Sequence, residues 1–365
     1  MQEMVIVRIV RADTGGRCVV KTIRRGLPMK IANLFSVCLL LSALSCNFSA
    51  NFGTSFHTLK KDNEIKPEIK AELDGKNAQL LNSIKSNNPH IMYDMFVDEV
   101  KKQQNVASMR NYYSSIVPIV SGQTFTKTHD YYIDVLGKTG DRSIVLFDTN
   151  IDDLNIVVPS KRKYLYLSFY ETAGYFNDTI ITILYGKDEK GKWELLTFFV
   201  GAYKVMNNNA NSLYRQVKEL LDKDYLVPAI LRYQVMAKYL NPSPLLAYKN
   251  NKEFEKLKDV LAEKAKKFVF PITIDSMPSK PEVYGFEGVF IKQEFVPVIR
   301  YYSKNYNSPN NVLQNEVDDI TKQLDAYFVG MRATANTILF QIFSEPPIDK
   351  NKKYSTKALS SVVSR

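Results

Sequence analysis

The sequence predicts an α+β protein: N-terminal helices with a curved antiparallel sheet, a helical connector, and a second, smaller α+β domain. Three observations carry this. Apolar residues recur at helix spacing between Pro67 and Val120, β-branched and aromatic runs separated by polar turns take over after Gly122, and a second set of helices followed by strands fills the rest of the chain. With 365 residues, 45% hydrophobic and 24% charged, the chain can form two domains with cores of their own. The same composition excludes collagen-like, disordered and disulfide-scaffold classes.

Residues 1–45 read as a presequence and signal peptide. Met29 and Lys30 precede Ile31 to Leu44, a mostly apolar, uncharged run of about 14 residues that is too short for the roughly 20 needed to span a bilayer. A start at Met29 fits this anatomy as well; Arg24 and Arg25 suggest a twin-arginine signal, but Gly26, Leu27 and Pro28 match the rest of that motif poorly. Ser45 followed by Cys46 resembles the lipobox of bacterial lipoproteins, whose cysteine is acylated and becomes the new N-terminus. That family usually has Leu three residues before the cysteine and a small residue next, where this chain has Ala43 and Leu44. The resemblance implies a lipid on Cys46, attachment to a membrane surface and, because Asn47 rather than Asp follows, the outer membrane of a Gram-negative cell. Ala43, Leu44 and Ser45 also fit the small-x-small site of ordinary secretion, which leaves a soluble periplasmic or secreted protein as the alternative. On either reading Cys18 and Cys38 are removed, so the mature chain has no internal disulfide.

Charge follows the same division. The formal net charge is +11, but the first 45 residues hold seven basic and two acidic side chains, and the remaining 320 carry only +6. This is a mildly basic surface and not a nucleic-acid footprint, so no nucleic-acid partner is expected. Residues 46–66 are polar, with Gly53, Lys60 and Lys61, and read as a flexible tether.

Residues 67–205 form the first domain. Pro67 opens a helix carrying Ile69, Leu73, Leu80, Leu81 and Ile84; a second follows Pro89 with Met92, Met95, Phe96 and Val100; a third runs over Val106–Val120 with Met109, Tyr112, Tyr113, Ile116 and Val117. Strands are expected at 130–136, 142–148, 155–158, 163–171, 179–185 and 192–203, with a polar hairpin turn over Gly186–Gly191. Three helices followed by strands ending in a long hairpin-linked pair, with Trp193 in the penultimate position of the pattern, resemble the nuclear transport factor two-like, or cystatin-like, cone. That resemblance implies a curved sheet wrapped around a helix. It chooses no activity, because the family spans enzymes, binding modules and structural domains.

Residues 206–266 read as a helical connector, with helices near 210–223, 227–240 and 252–268 interrupted by Pro242 and Pro244. The C-terminal α+β domain, 267–347, is expected to hold strands at 268–275, 288–303 and 337–344 around a helix over 311–328, and residues 348–365 to form a mobile tail. Pro297 inside the 288–303 strand marks it as an edge suited to partner pairing.

Few residues suggest chemistry. Gly186, Gly191 and Lys192 approach a phosphate-loop motif, but Trp193 stands where Ser or Thr should be, and the segment reads as strand, turn, strand. The only histidines are His57, His90 and His129, without ligand spacing, so no metal is expected, and no motif requires a cofactor. Asp148, Asp152 and Asp153 crowd one turn, as turn-makers do. The remaining candidates are His129, Tyr166, Tyr170 and Glu171, a proton-transfer group, two tyrosines and a carboxylate near an aromatic strand. The expected function is that of a non-catalytic, lipid-anchored envelope protein that binds an envelope protein partner or assembles with others. The alternative is small-molecule binding or acid-base catalysis by those four residues in a concave pocket of the first domain.

Overall fold

A computed structural model describes residues 57–120, 122–136, 143–146, 151, 153–159, 162–172, 177–291, 294–349 and 351–363. The presequence, Cys46, most of the expected tether, and Asp148 and Asp152 lie outside the described residues. The described chain falls into two compact units, Glu68–Gly122 and residues 57–67 with 123–363, and the borders expected at 205 and 266 lie inside the second.

The first unit is helical. Helix α1 (Pro67–Lys85) buries Leu73, Leu80, Leu81 and Ile84, the residues whose spacing predicts it. Asn88 caps α2 (Pro89–Met95), its side-chain oxygen accepting the His90 N–H at 3.3 Å. The single helix expected after Pro89 is divided: Phe96 takes an extended conformation, and a new helix, α3, covers Asp98–Gln103. Helix α4 (Val106–Val120) buries Met109, Tyr112, Tyr113, Ile116 and Val120, and its Tyr113 hydroxyl meets Ser83 Oγ of α1 at 2.6 Å.

The second unit contains three sheets. In the largest, β1 (His57–Lys61), β2 (Phe125–Val135), β5 (Tyr164–Thr172), β6 (Asn177–Lys187) and β7 (Trp193–Val205) lie in that order, and every neighbouring pair is antiparallel. The expected tether therefore ends in a sheet strand. A bulge between Lys127 and His129 interrupts the β2–β5 ladder, and two more interrupt β6–β7; such insertions add local twist. The β6–β7 hairpin closes as its residues predict: the Lys192 N–H donates to Asp188 Oδ1 at 2.7 Å, and Gly191 takes φ +85°, where a Cβ is disfavoured.

Strands β3 (Ser143–Leu146) and β4 (Leu154–Pro159) pair with each other. The connector region, expected to be helical, supplies their third strand, β8 (Leu246–Tyr248), between α5 (Ala210–Asp222), α6 (Leu226–Met236) and α7 (Asn251–Ala265). Three residues after two prolines are too few to display a strand period, which is why β8 escapes the sequence pattern.

The third sheet has the order β13–β12–β11–β10–β9, with β9 at Ile272–Thr273, β10 at Glu282–Ile291, β11 at Glu294–Tyr302, β12 at Thr337–Phe343 and β13 at Thr356–Val362. Only β11–β12 is parallel, and helices α8 (Asn310–Tyr327) and α9 (Met331–Thr334) make its crossover. Two expectations are corrected here. The strand expected over 288–303 is a hairpin of β10 and β11, and β11 lies inside the sheet; Pro297 is tolerated because the parallel ladder starts one residue later, at Val298. The expected tail contains β13, paired along its whole length with β12.

One hydrophobic cluster runs through this unit. It joins Ile133, Leu165 and Leu167 of the first sheet to Leu213 and Leu231 of α5 and α6, and continues to Ile299, Phe340 and the α8 stripe of Leu313, Val317, Ile320 and Leu324.

Candidate functional site

Strand β5 is the middle strand of the first sheet, and its period of two decides which candidate residues can meet. Leu165, Leu167 and Phe169 belong to the core cluster, whereas Tyr166, Ser168 and Tyr170 project from the other face and are buried too. His129 stands directly opposite Phe169, and Glu171 lies two residues further along β5, so His129 and Glu171 are diagonal neighbours on the core-cluster face. Tyr166 and Tyr170 are on the opposite face. The sheet itself separates the four candidates into two pairs.

Both members of the first pair are engaged. His129 Nδ1 lies 3.4 Å from Asp62 Oδ2, in the turn that follows β1, and Asp62 Oδ1 accepts the Asp130 N–H at 2.8 Å. Glu171 Oε2 lies 3.7 Å from Lys204 Nζ of β7, and that ammonium sits 4.5 Å over the Tyr203 ring. These contacts tie β1 to β2 and β5 to β7.

On the opposite face the dominant polar group is one the sequence does not single out. Asp130 is 1% exposed; its Oδ1 accepts the Ser168 hydroxyl at 2.7 Å and its Oδ2 lies 2.9 Å from Lys127 Nζ. A carboxylate held this deeply needs such partners, because an unpaired buried charge is expensive. Around it is an aromatic array. Tyr166 meets Trp193 edge-on with ring centroids 6.4 Å apart, Trp193 meets Tyr132 in the same way, and Tyr132 stacks on Tyr164 at 6.1 Å. Burial, with Asp134 and Tyr164 adding to it, pushes the Tyr132 hydroxyl up to about 12; burial and then Tyr170 raise that of Tyr185. These phenols stay neutral at physiological pH and do not act there as bases.

A second buried carboxylate lies in the third sheet. Glu316 Oε1 accepts hydrogen bonds from Ser303 Oγ (2.6 Å) and Tyr301 Oη (3.2 Å), and Oε2 accepts from Asn305 Nδ2 (2.7 Å). The sequence signal was its position: Glu316 interrupts the apolar stripe of α8, three residues after Leu313. Asp153, one of the three crowded carboxylates, accepts from Asn211 Nδ2 at 3.1 Å while its carbonyl accepts the Lys249 N–H, which makes it a link between the second sheet and its flanking segments. A groove of about 500 Å³ lies between α8 and β13, lined by Gln314, Asp318, Lys322, Arg332 and Ser361 among others; Asp318 accepts from both Gln314 and Ser361, so its polar lining is knitted across the groove.

Among the described residues no three His, Cys, Asp or Glu side chains are grouped to hold a metal ion, and no helix is long and apolar enough to cross a membrane. Comparison of the chain with protein-family models, with curated proteins and with solved structures finds no match.

Proposed function

We propose that this chain is a non-catalytic binding or assembly protein of the cell envelope, held at a membrane surface by a lipid on Cys46. The observation that carries the non-catalytic part is the division of the candidate groups by the sheet: His129 and Glu171 on one face, each in an ion pair or hydrogen bond that links strands, and Tyr166 and Tyr170 on the other. General acid-base chemistry needs its groups converging on one reacting atom. The antiparallel order of the first sheet and its long β6–β7 hairpin support the reading of a nuclear transport factor two-like sheet used as a scaffold. The apolar run ending at Ser45–Cys46 supports export and acylation.

The anchor is tested by growing cells with labelled palmitate and recovering the full-length protein and its Cys46→Ala variant. Label in the parent and none in the variant is the expected result; an unlabelled parent removes the anchor. The binding role is tested by cross-linking in intact cells, where His129→Ala and Glu171→Gln should leave the cross-linked partner unchanged.

A further inference from the structure

The second unit carries an exposed apolar tip flanked by lysines. Helix α7 carries Lys264 in its last turn and ends at Ala265; Lys266 and Lys267 follow, and the chain continues as Phe268, Val269, Phe270 and Pro271. Phe268 turns inward, its ring 6.2 Å from Phe328 and 5.9 Å from Phe286, while Val269 is 78% exposed and Phe270, whose ring meets Phe286 edge-on at 5.5 Å, is 37% exposed. Phe328 is itself buried and is followed by Val329, 56% exposed. Val329 is held outward by its neighbours: Gly330 takes φ +81° and lies so close to the Tyr225 ring that a Cβ there would come within 2.2 Å of it. Two loops from distant parts of the chain thus meet through Phe268 and Phe328 and present apolar side chains beside the rings that fix them.

We infer that this tip inserts into the interface of an anionic phospholipid bilayer. Apolar side chains seated at the headgroup boundary beside lysines that face anionic lipid are the two components of interfacial binding. Val269, Val329 and the partly exposed Phe270 are far fewer than the roughly 20–30 residues a side of a stable protein interface, which favours lipid as the occupant. Glu263 pairs with Lys266, both largely exposed, and Asp275 lies 3.9 Å from Lys280; the exposed Lys264 and Lys267 belong to neither pair. Lys267 sits 5.5 Å over the Phe268 ring, which places its charge at the base of the tip.

This inference rests on the reading of a membrane-anchored envelope protein, and its test separates the two. The mature chain, residues 46–365 with Cys46→Ala, carries neither the apolar run nor an acyl chain. It is mixed with vesicles of phosphatidylglycerol and phosphatidylcholine in equal parts, and with phosphatidylcholine alone, and sedimented. The chain should bind the anionic vesicles about tenfold more tightly than the neutral ones. Val269→Asp, at a position too exposed to disturb folding, should weaken that binding about tenfold, and Lys264→Gln with Lys267→Gln should remove the preference for anionic lipid. Equal binding to both vesicles, no binding to either, or binding unchanged by Val269→Asp overturns the inference. Loss of palmitate labelling in cells would sink the anchor alone and leave these vesicle results standing.

Discussion

Glu316 shows how much one residue can organise. Its two carboxylate oxygens accept three hydrogen bonds, from Tyr301, Ser303 and Asn305, which fix the end of β11 and the turn after it against α8. Ser303 is occupied twice, since its Oγ also accepts the Asn305 N–H at 3.0 Å. Glu316→Ala strands the buried Tyr301 and Ser303 donors and the part-buried Asn305 amide, and should lower the unfolding free energy by about 3 kcal/mol; Glu316→Gln, which keeps an acceptor, should lower it by about half as much. Urea denaturation of the two variants measures this, and equal midpoints for Glu316→Ala and the parent would show that the network contributes nothing. At this scale the sequence holds a signal where a residue breaks a pattern, as Glu316 does within its apolar stripe, although Glu316 is not among the candidates named from the sequence. The sequence was not legible at Asp130, because an acid between His129 and Tyr131 reads the same whether it faces water or, as here, Ser168 and Lys127.

Elements were legible in proportion to their periodicity. Helices α4 and α8 follow their apolar stripes almost residue for residue, and the β6–β7 hairpin follows its turn residues, because burial and turn chemistry both act over a few neighbouring positions. Strand β13 fails the same test for a physical reason. Its inward positions are Lys357, Leu359 and Ser361, so only one is apolar, and what holds the strand is backbone pairing to β12 together with Ser361 Oγ donating to Asp318 at 2.7 Å. Pairing with a distant partner leaves no mark on local composition. A chain ending at residue 355 should therefore lose solubility or show a much lower urea midpoint, because β12, with Ile338, Phe340 and Ile342 buried, would be left with a bare edge. Recovery of a truncated protein with the parent's midpoint would mean that these last residues are dispensable. The candidate site was legible only as a set of residue types. Glu171 and Tyr170 are adjacent in sequence, and it is strand geometry, invisible until β5 is placed inside its sheet, that sends them to opposite faces.

For the whole molecule, buried phenols set a common limit. Burial pushes the hydroxyls of Tyr113, in the first unit, and Tyr239, in the second, up to about 12; the hydrogen bond with Ser83 lowers the first slightly and Asp178 raises the second. The folded chain then keeps protons that the unfolded chain releases near pH 10.0. This contribution is fully present below that pH and is lost as the pH rises toward about 12, so stability should fall across that window. Urea midpoints at about pH 9 and about pH 11 test this, with Tyr113→Phe flattening the fall in the first unit; midpoints that do not move would contradict it. The order of the third sheet also has a consequence in time. Strand β12 is made after β11 and the α8 crossover, and its other edge is filled by β13, which is made later still. Until β13 is made, the run Ile338–Leu339–Phe340–Gln341–Ile342–Phe343 presents an unfilled edge of high β-propensity. That interval is when a chaperone has something to hold, and its grip should end with the arrival of the last strand.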